Sequence, residues 1–123
     1  MAELRDIVNR YVAVWNEPDP ARRRQQIAAL WVEDGGHFTP SHDCRGYAAL
    51  EARITGAYEK WVRDSGHVFR PRDHVDGHHD TVRFQWEMVR DNKVISVGAD
   101  FLLLGADGRI RADYQFLEPT PSA

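Results

Sequence analysis

Two carboxylates near the end of the chain have the type and spacing for acid–base chemistry. Asp100 interrupts a mostly apolar run at residues 94–104, and Asp113 lies on the strand that follows a turn at Asp107-Gly108. A bare charged carboxylate in an apolar interior costs several kcal/mol, so Asp100 must be paired, hydrogen-bonded or protonated. The run is apolar on both of its faces, which predicts a strand that is covered on both sides.

The length of the turn decides which residue lies opposite Asp100. A four-residue loop at residues 105–108 pairs Asp100 with Asp113, whereas a two-residue loop pairs it with Gln115; a three-residue loop with a bulge would change the register. Two carboxylates in a poorly solvated site raise each other's pKa, which can yield an acid and a base near neutral pH. In the alternative interpretation, Asp113 faces solvent and the backbone or an Arg satisfies Asp100.

Histidines are the other candidate bases, because imidazole titrates near neutral pH. His37 begins a short strand and His42 follows in a loop, and either could point into a pocket. Cys44, in the same loop, shows no pattern of a nucleophile with a partner base.

Three more histidines surround a turn at residues 76–80. Residues four apart meet only on a helix, and Pro71 and Gly77 argue against a helix here. We therefore predict no zinc site at this turn and no metal elsewhere. The side chains concerned are His74, His78, His79 and Asp80.

Composition excludes several classes of function. The 123 residues suffice for one domain, and a net charge of −3 gives no broad surface for nucleic acid. The single cysteine forms no internal disulfide and suits a reducing compartment. The sequence shows no signal-peptide pattern and no apolar run of membrane length. These features predict a cytoplasmic domain over residues 1–118 with a flexible tail at 119–123, and neither nucleic acid nor membrane as a partner.

Helices are predicted at the start of the chain. Apolar residues between Leu4 and Trp15 recur at helical spacing, which predicts a helix over residues 2–16. Asp19 should cap a second helix that carries Pro20 in its first turn. The run Arg22–Arg24 is expected to form a solvated face.

Strands are predicted in the second half. Residues 33–36 are expected to form a turn, residues 37–40 a short strand and residues 41–45 a loop before a third helix that ends at Ser65-Gly66. Four antiparallel strands then occupy residues 67 to 118, and Pro71 favours an edge or a bulge in the first. Helices first and strands last indicate an α+β fold, with three helices on one face of a curved antiparallel sheet and a pocket at its open end.

Large side chains are expected to close the core and to line this pocket for a planar or polycyclic ligand. No phosphate-binding loop and no nucleotide or flavin motif is present, so no cofactor is predicted. The predicted ligand-binding residues are Trp15, Phe38, Trp61, Phe84, Trp86, Leu102, Gln115 and Leu117.

Five short motifs, in order, carry a family resemblance over nearly the whole chain. They are Tyr11–Trp15, Leu30–Gly35, Arg45-Gly46, Arg83–Trp86 and Asp107–Ile110. With them the chain resembles the NTF2-like superfamily, and within it the SnoaL-like branch of polyketide cyclases and ketosteroid isomerase-like domains. The resemblance implies a cone-shaped α+β barrel with a pocket, commonly in a homodimer. This fold hosts isomerases, cyclases, epoxide hydrolases, dehydratases and binding modules, so it does not fix the function.

The ketosteroid isomerase members imply roles for particular residues. Tyr11 and Asp100 match the tyrosine and the protonated aspartate that form an oxyanion hole there. Thr39 stands where that family has its general base, and Gln115 stands where the epoxide hydrolases have a catalytic aspartate, so Asp113 or His37 would move the proton.

The sequence thus predicts a cofactor-independent enzyme for a small hydrophobic carbonyl compound, catalysing isomerisation, aldol-type cyclisation or dehydration. The alternative is a binding or dimerisation module without chemistry.

Overall fold

The computed structural model describes residues 2–119, with side chains described from Leu4 onward. Met1 and residues 120–123, which include most of the predicted tail, lie outside the described residues, and the proposed domain boundary stays a prediction. The helices are α1 (Ala2–Asn16), α2 (Pro20–Leu30) and α3 (Tyr47–Ala57), the last continued by a π-helix at Tyr58–Arg63. The strands are β1 (Trp31–Thr39), β2 (His42–Arg45), β3 (Val68–Asp76), β4 (Thr81–Arg90), β5 (Lys93–Leu104) and β6 (Ile110–Glu118).

The strands form one curved, unclosed sheet in the order β2-β1-β6-β5-β4-β3. The α+β fold predicted from the order of the elements is therefore confirmed. The sheet is mixed rather than antiparallel throughout, because β1 and β6 pair in parallel. A parallel pair needs a long crossover connection, and here the connection contains α3 with its π-helix and four strands, β2 to β5.

Two predictions about the segment before α3 are wrong. The residues expected to form a turn at 33–36 lie inside β1, where the pairing with β6 shifts between Trp31 and Gly36. The residues expected to form a loop at 42–45 pair antiparallel with β1 as β2. The glycines at 35 and 36 thus mark an irregular strand, and β1 carries His37 into the interior while Phe38 takes the opposite face and lies near Tyr114.

The first two helices follow the predicted pattern, with one exception. Asp19 Oδ2 accepts a hydrogen bond from the Arg22 backbone N–H at 2.8 Å, which confirms the predicted cap of α2. Arg23, expected on a solvated face, is buried, and its guanidinium donates to the Glu17 carbonyl and to Thr55 Oγ1. These hydrogen bonds connect the end of α1 to α3. The arginines of the run Arg22–Arg24 therefore do not all lie on one exposed face.

β4 alternates between buried and exposed residues, whereas the expectation that residues 94–104 are covered on both faces is wrong, because Ile95 and Phe101 on β5 are exposed. Val82, Phe84, Trp86 and Met88 face the core from β4. β3 is an edge strand whose pairing is irregular between Pro71 and Val75, as the proline indicated.

The β5–β6 connection sets the register of the candidate acids. Gly105 N–H donates to the Arg109 carbonyl at 2.7 Å, and Gly108 takes a positive φ of 82°, so the loop contains three residues. A further irregularity between Leu103 and Leu104 leaves Asp100 opposite Gln115 and Leu102 opposite Asp113. The two-residue loop would have given the same partner for Asp100, but the structure reaches it with a longer loop and a bulge.

Candidate active site

A buried hydrogen-bonded network links α1 to four strands, β1, β4, β5 and β6. The Tyr11 hydroxyl lies 2.8 Å from Asp100 Oδ2 and 2.7 Å from Asp113 Oδ2. His37 Nδ1 lies 2.7 Å from the same Asp113 oxygen, and Trp86 Nε1–H donates to Asp100 Oδ1 at 2.7 Å. The four groups that titrate, Tyr11, Asp100, Asp113 and His37, are at most 2 % exposed. The structure therefore brings all four predicted catalytic residues together.

Counting hydrogens assigns the protons in this network. The Tyr11 hydroxyl has one hydrogen, so it can donate to only one of the two carboxyl oxygens and must accept from the other. One aspartate is therefore protonated. Asp100 as the acid, donating to Tyr11, leaves Asp113 as the carboxylate that accepts from Tyr11 and from His37 Nδ1–H.

The electrostatics of the site agree with this assignment. Burial and the neighbouring charge of Asp113 raise the pKa of Asp100 well above its ordinary value. Burial raises the pKa of Asp113 to about 6, against hydrogen bonds that favour its charged form. Burial lowers the pKa of His37 to about 4. At neutral pH the network thus holds protonated Asp100, ionised Asp113 and neutral His37.

Local structure explains why these side chains meet. Tyr11 lies on the buried stripe of α1, and inward alternation along β5 carries Gly98, Asp100 and Leu102 to the same face of the sheet. A Cβ atom on Gly98 would come within 2.1 Å of the Trp86 ring on the neighbouring strand. Glycine at this position therefore lets the indole lie close over β5, where its N–H reaches Asp100.

A cavity of about 320 Å³ lies beside the network. Its walls are mostly apolar, and Tyr11 is the titratable network member that lines it. The polar side chains on the wall are Arg53, Ser96 and Gln115. The other lining residues are Val12, Trp15, Ala57, Trp61, Phe69, Trp86, Met88 and Leu117.

Five of the eight predicted ligand-binding residues lie on this wall: Trp15, Trp61, Trp86, Gln115 and Leu117. The other three lie elsewhere. Phe84 and Leu102 are fully buried in the core, where Phe84 packs edge-on against Tyr11, and Phe38 packs against Tyr114 on the other face of the sheet. Whether any lining residue binds a ligand stays a prediction.

Arg53 is the residue on the wall that sequence reasoning missed. Its guanidinium lies 5.4 Å from the centre of the Trp15 ring, and its Nε is buried without a hydrogen-bond partner among the described residues. A signal was present, because Arg53 is three residues after Leu50 and four before Ala57, both buried on α3. A charged residue at the spacing of a buried stripe indicates a polar group facing the interior.

The network also has the composition of a metal site. His37, Asp100 and Asp113 each offer one ligand atom, all within 4.8 Å of one another. His37 Nδ1 and Asp113 Oδ2 already take part in the hydrogen bonds described above, whereas His37 Nε2 and Asp113 Oδ1 are buried without a partner among the described residues. The expectation that no metal binds stays a prediction. His42, the other candidate base, is exposed on β2 and lies near Thr39 and Ser41.

Solved structures provide the comparison that defines the fold. A crystal structure of a "putative isomerase of the SnoaL-like family" from Agrobacterium tumefaciens is 30% identical, covers 97% of this chain and 100% of its own, and superposes with a TM-score of 0.89. A SnoaL-like protein of unknown function from Burkholderia thailandensis gives 13% identity, coverages of 97% and 98%, and a TM-score of 0.72. A "putative polyketide cyclase" from Sinorhizobium meliloti gives 14% identity, coverages of 90% and 94%, and a TM-score of 0.68.

Three helices against a curved, unclosed sheet, with these neighbours, define the α+β cone fold of NTF2-like proteins. The chain belongs to the SnoaL-like family. No established family profile and no curated protein matches it. Within residues 2–119, no helix combines the length and apolar character needed to cross a bilayer.

Proposed function

We propose that this protein is a cofactor-independent enzyme that moves a proton on a small hydrophobic carbonyl compound bound in the cavity. The observation that carries the proposal is the position of Tyr11, which lines the cavity and joins two buried carboxyl groups of opposite protonation. Asp100, Asp113 and His37 are too deeply buried to touch a ligand in this arrangement. Among the described residues, Tyr11 is the titratable member of the network that lines the cavity, so the proposed proton path runs through its hydroxyl.

The proposed step is a relay. A C–H or O–H bond of the substrate breaks, and its proton goes to the Tyr11 oxygen while the hydrogen of Tyr11 passes to Asp113 Oδ2. The electron pair stays on the substrate as an enolate or alkoxide, and the reverse relay returns the proton at the same or another atom. Asp113 suits this role because its pKa of about 6 lies close to neutral pH.

Asp100 and His37 then act as positioning residues. Protonated Asp100 donates to the Tyr11 oxygen and keeps that hydroxyl aimed at Asp113, and His37 holds the Asp113 carboxylate by its second hydrogen bond. Gln115 and Ser96, on the cavity wall, are available to donate to a developing oxyanion. This assignment differs from the role implied by the family resemblance, in which Asp100 would itself touch the substrate oxygen.

Deuterium uptake by 2-tetralone in D2O, followed by proton NMR, tests the proposal. We expect the protein to accelerate exchange of the acidic C–H, with a rate that rises with pH through about 6 as Asp113 ionises. Tyr11→Phe should abolish the acceleration, and Asp113→Asn should lower it and remove the pH inflection. Asp43→Asn, which changes an exposed carboxylate, is the matched control.

The same experiment separates the proposal from a binding module without chemistry. The near-complete burial of the network and Thr39 at the usual base position favour that second candidate. Binding of 2-tetralone by calorimetry without any acceleration of exchange would support it and contradict the enzyme. The homodimer and the cytoplasmic location remain predictions from the sequence, and light scattering after size-exclusion chromatography tests the first.

A further inference from the structure

Arg53 is the cationic side chain on the cavity wall. It lies half-buried on α3, with the Trp15 ring on one side, and its Nε has no hydrogen-bond partner among the described residues. None of the ion pairs formed within residues 2–119 includes it. The wall thus carries a positive charge that forms no direct ion pair within the described part of the chain, although it acts at longer range on Asp113, whose pKa it lowers against the effect of burial.

Arg23 is a buried arginine whose guanidinium finds its hydrogen-bond partners within the chain. The Arg23 guanidinium donates to the Glu17 carbonyl at 2.6 and 3.1 Å and to Thr55 Oγ1 at 3.0 Å. A polar group out of water without a hydrogen bond is costly, and a charged one more so. The contrast indicates that the missing partner of Arg53 is a molecule that enters the cavity.

We propose that the cavity binds an aromatic carboxylate, with the carboxylate paired to the Arg53 guanidinium and the rings held among Trp15, Trp61 and Trp86. A planar guanidinium offers two parallel N–H donors to a carboxylate, a pairing stronger and more directional than a neutral hydrogen bond. This inference rests on the proposed function in placing the ligand in the same cavity, and it adds the charge and the shape of the ligand.

The surroundings favour a carboxylate over a phosphate. One guanidinium matches one negative charge, and the other polar side chains on the wall, Ser96 and Gln115, are neutral. A dianion would remain only half neutralised between apolar walls. The volume of about 320 Å³ is at the lower end for small-molecule sites, which suits a compound of two fused rings rather than a larger one.

Isothermal titration calorimetry with 2-naphthoate and its neutral analogue 2-naphthamide tests this inference at pH 7.5. The wild-type protein should bind naphthoate roughly ten- to hundredfold more tightly than naphthamide, the range expected for charge-assisted hydrogen bonds. Arg53→Met should remove that preference and leave naphthamide affinity unchanged, whereas Arg53→Lys should retain part of it. Arg90→Met removes the same charge from an exposed position and should retain the full preference.

Equal affinity of the wild-type protein for both compounds overturns the inference but leaves a cavity for neutral carbonyl compounds intact. Equal loss in Arg53→Met and Arg90→Met would show a general effect of net charge and would also overturn it. A preference for naphthoate without accelerated exchange of 2-tetralone supports the inference and contradicts the proposed enzyme. Binding of neither compound contradicts the inference and the proposed ligand site together. If Arg53→Met does not fold, the wild-type comparison and Arg53→Lys decide.

Discussion

The interior of this protein treats its polar groups in two different ways. In the network behind Tyr11, buried groups from α1, β1, β5 and β6 hydrogen-bond to one another, and Trp86 adds one more donor. On the cavity wall, Arg53 has a buried Nε without a partner among the described residues. The first arrangement supplies most of its own partners and so contributes to stability, with His37 Nε2 and Asp113 Oδ1 as its buried, unpartnered atoms. In the second arrangement, the proposed carboxylate ligand would supply the missing partner. Changes to the two regions should therefore differ in what they affect.

Removal of the Asp113 carboxylate should produce the largest loss of stability. Asp113→Ala leaves the neutral Tyr11 hydroxyl and His37 Nδ1–H buried without their shared acceptor, and at about 1 to 3 kcal/mol for each unsatisfied donor we expect the free energy of unfolding to fall by about 2 to 6 kcal/mol. Urea denaturation at pH 7 measures this. Asp76→Ala, at an exposed ion pair with Arg83, is the control and should change stability by less than about 1 kcal/mol. A similar small loss at both positions would show that the network does not contribute as described.

The two arginines provide the next test. Arg23→Met removes a buried, hydrogen-bonded guanidinium and should cost about 2 kcal/mol, the scale of hydrogen bonds to a charged group. Arg53→Met removes a guanidinium whose Nε lacks such a partner and should change the free energy of unfolding by no more than about 0.5 kcal/mol. Both variants are compared by urea denaturation without ligand. Equal destabilisation would mean that Arg53 is a structural residue and that its partner lies within the chain.

A pH series compares the two carboxyl groups. The pKa of Asp100 is raised on folding, so its contribution is present below the unfolded value of about 3.9 and is lost as pH rises through the folded value. Over the pH range in which Asp100 is protonated in the folded state and ionised in the unfolded state, this group lowers the free energy of unfolding by about 1.4 kcal/mol for each unit that the pH rises. Asp100→Asn keeps a donor to Tyr11 and removes the titration, so its stability relative to the wild type should rise by that slope between pH 5 and 7.

Subtracting the two pH series isolates Asp100 from its neighbours. The pKa of Asp113 is raised to about 6, so its contribution to the free energy of unfolding is lost as pH rises through that value. The pKa of His37 is lowered to about 4, so its contribution is lost as pH falls through that value. These two contributions have opposite signs and occur in both proteins. A difference between wild type and variant that does not change with pH would mean that Asp100 is ionised in the folded state.

The sequence predicted the titratable residues of the network and several apolar residues of the wall, but not the arginine on the wall. Asp100 stood out because one acid in an apolar strand has few ways to be stable, whereas Tyr11 was assigned to the site by the family resemblance. Arg53 was missed because a charged residue on a helix is ordinarily placed in solvent. β2 was missed because its four residues are mostly polar, and their pairing depends on β1, a strand itself obscured by two glycines. The error at Arg53 concerns a side chain placed by tertiary packing, whereas the error at β2 concerns a short hairpin with β1 whose polar residues give little strand signal.

The parallel pairing of β1 with β6 also sets an order of events during folding. Tyr11 and Asp113 are 102 residues apart in the sequence, and His37 and Asp113 are 76 apart. Contacts of such long range form late and slow the folding of a small domain. A chain emerging from the ribosome cannot complete the network until β6 has been synthesised and has inserted between β1 and β5. The acid chemistry proposed for this protein is thus coupled to complete folding, and no nascent fragment that lacks the last strand can carry it.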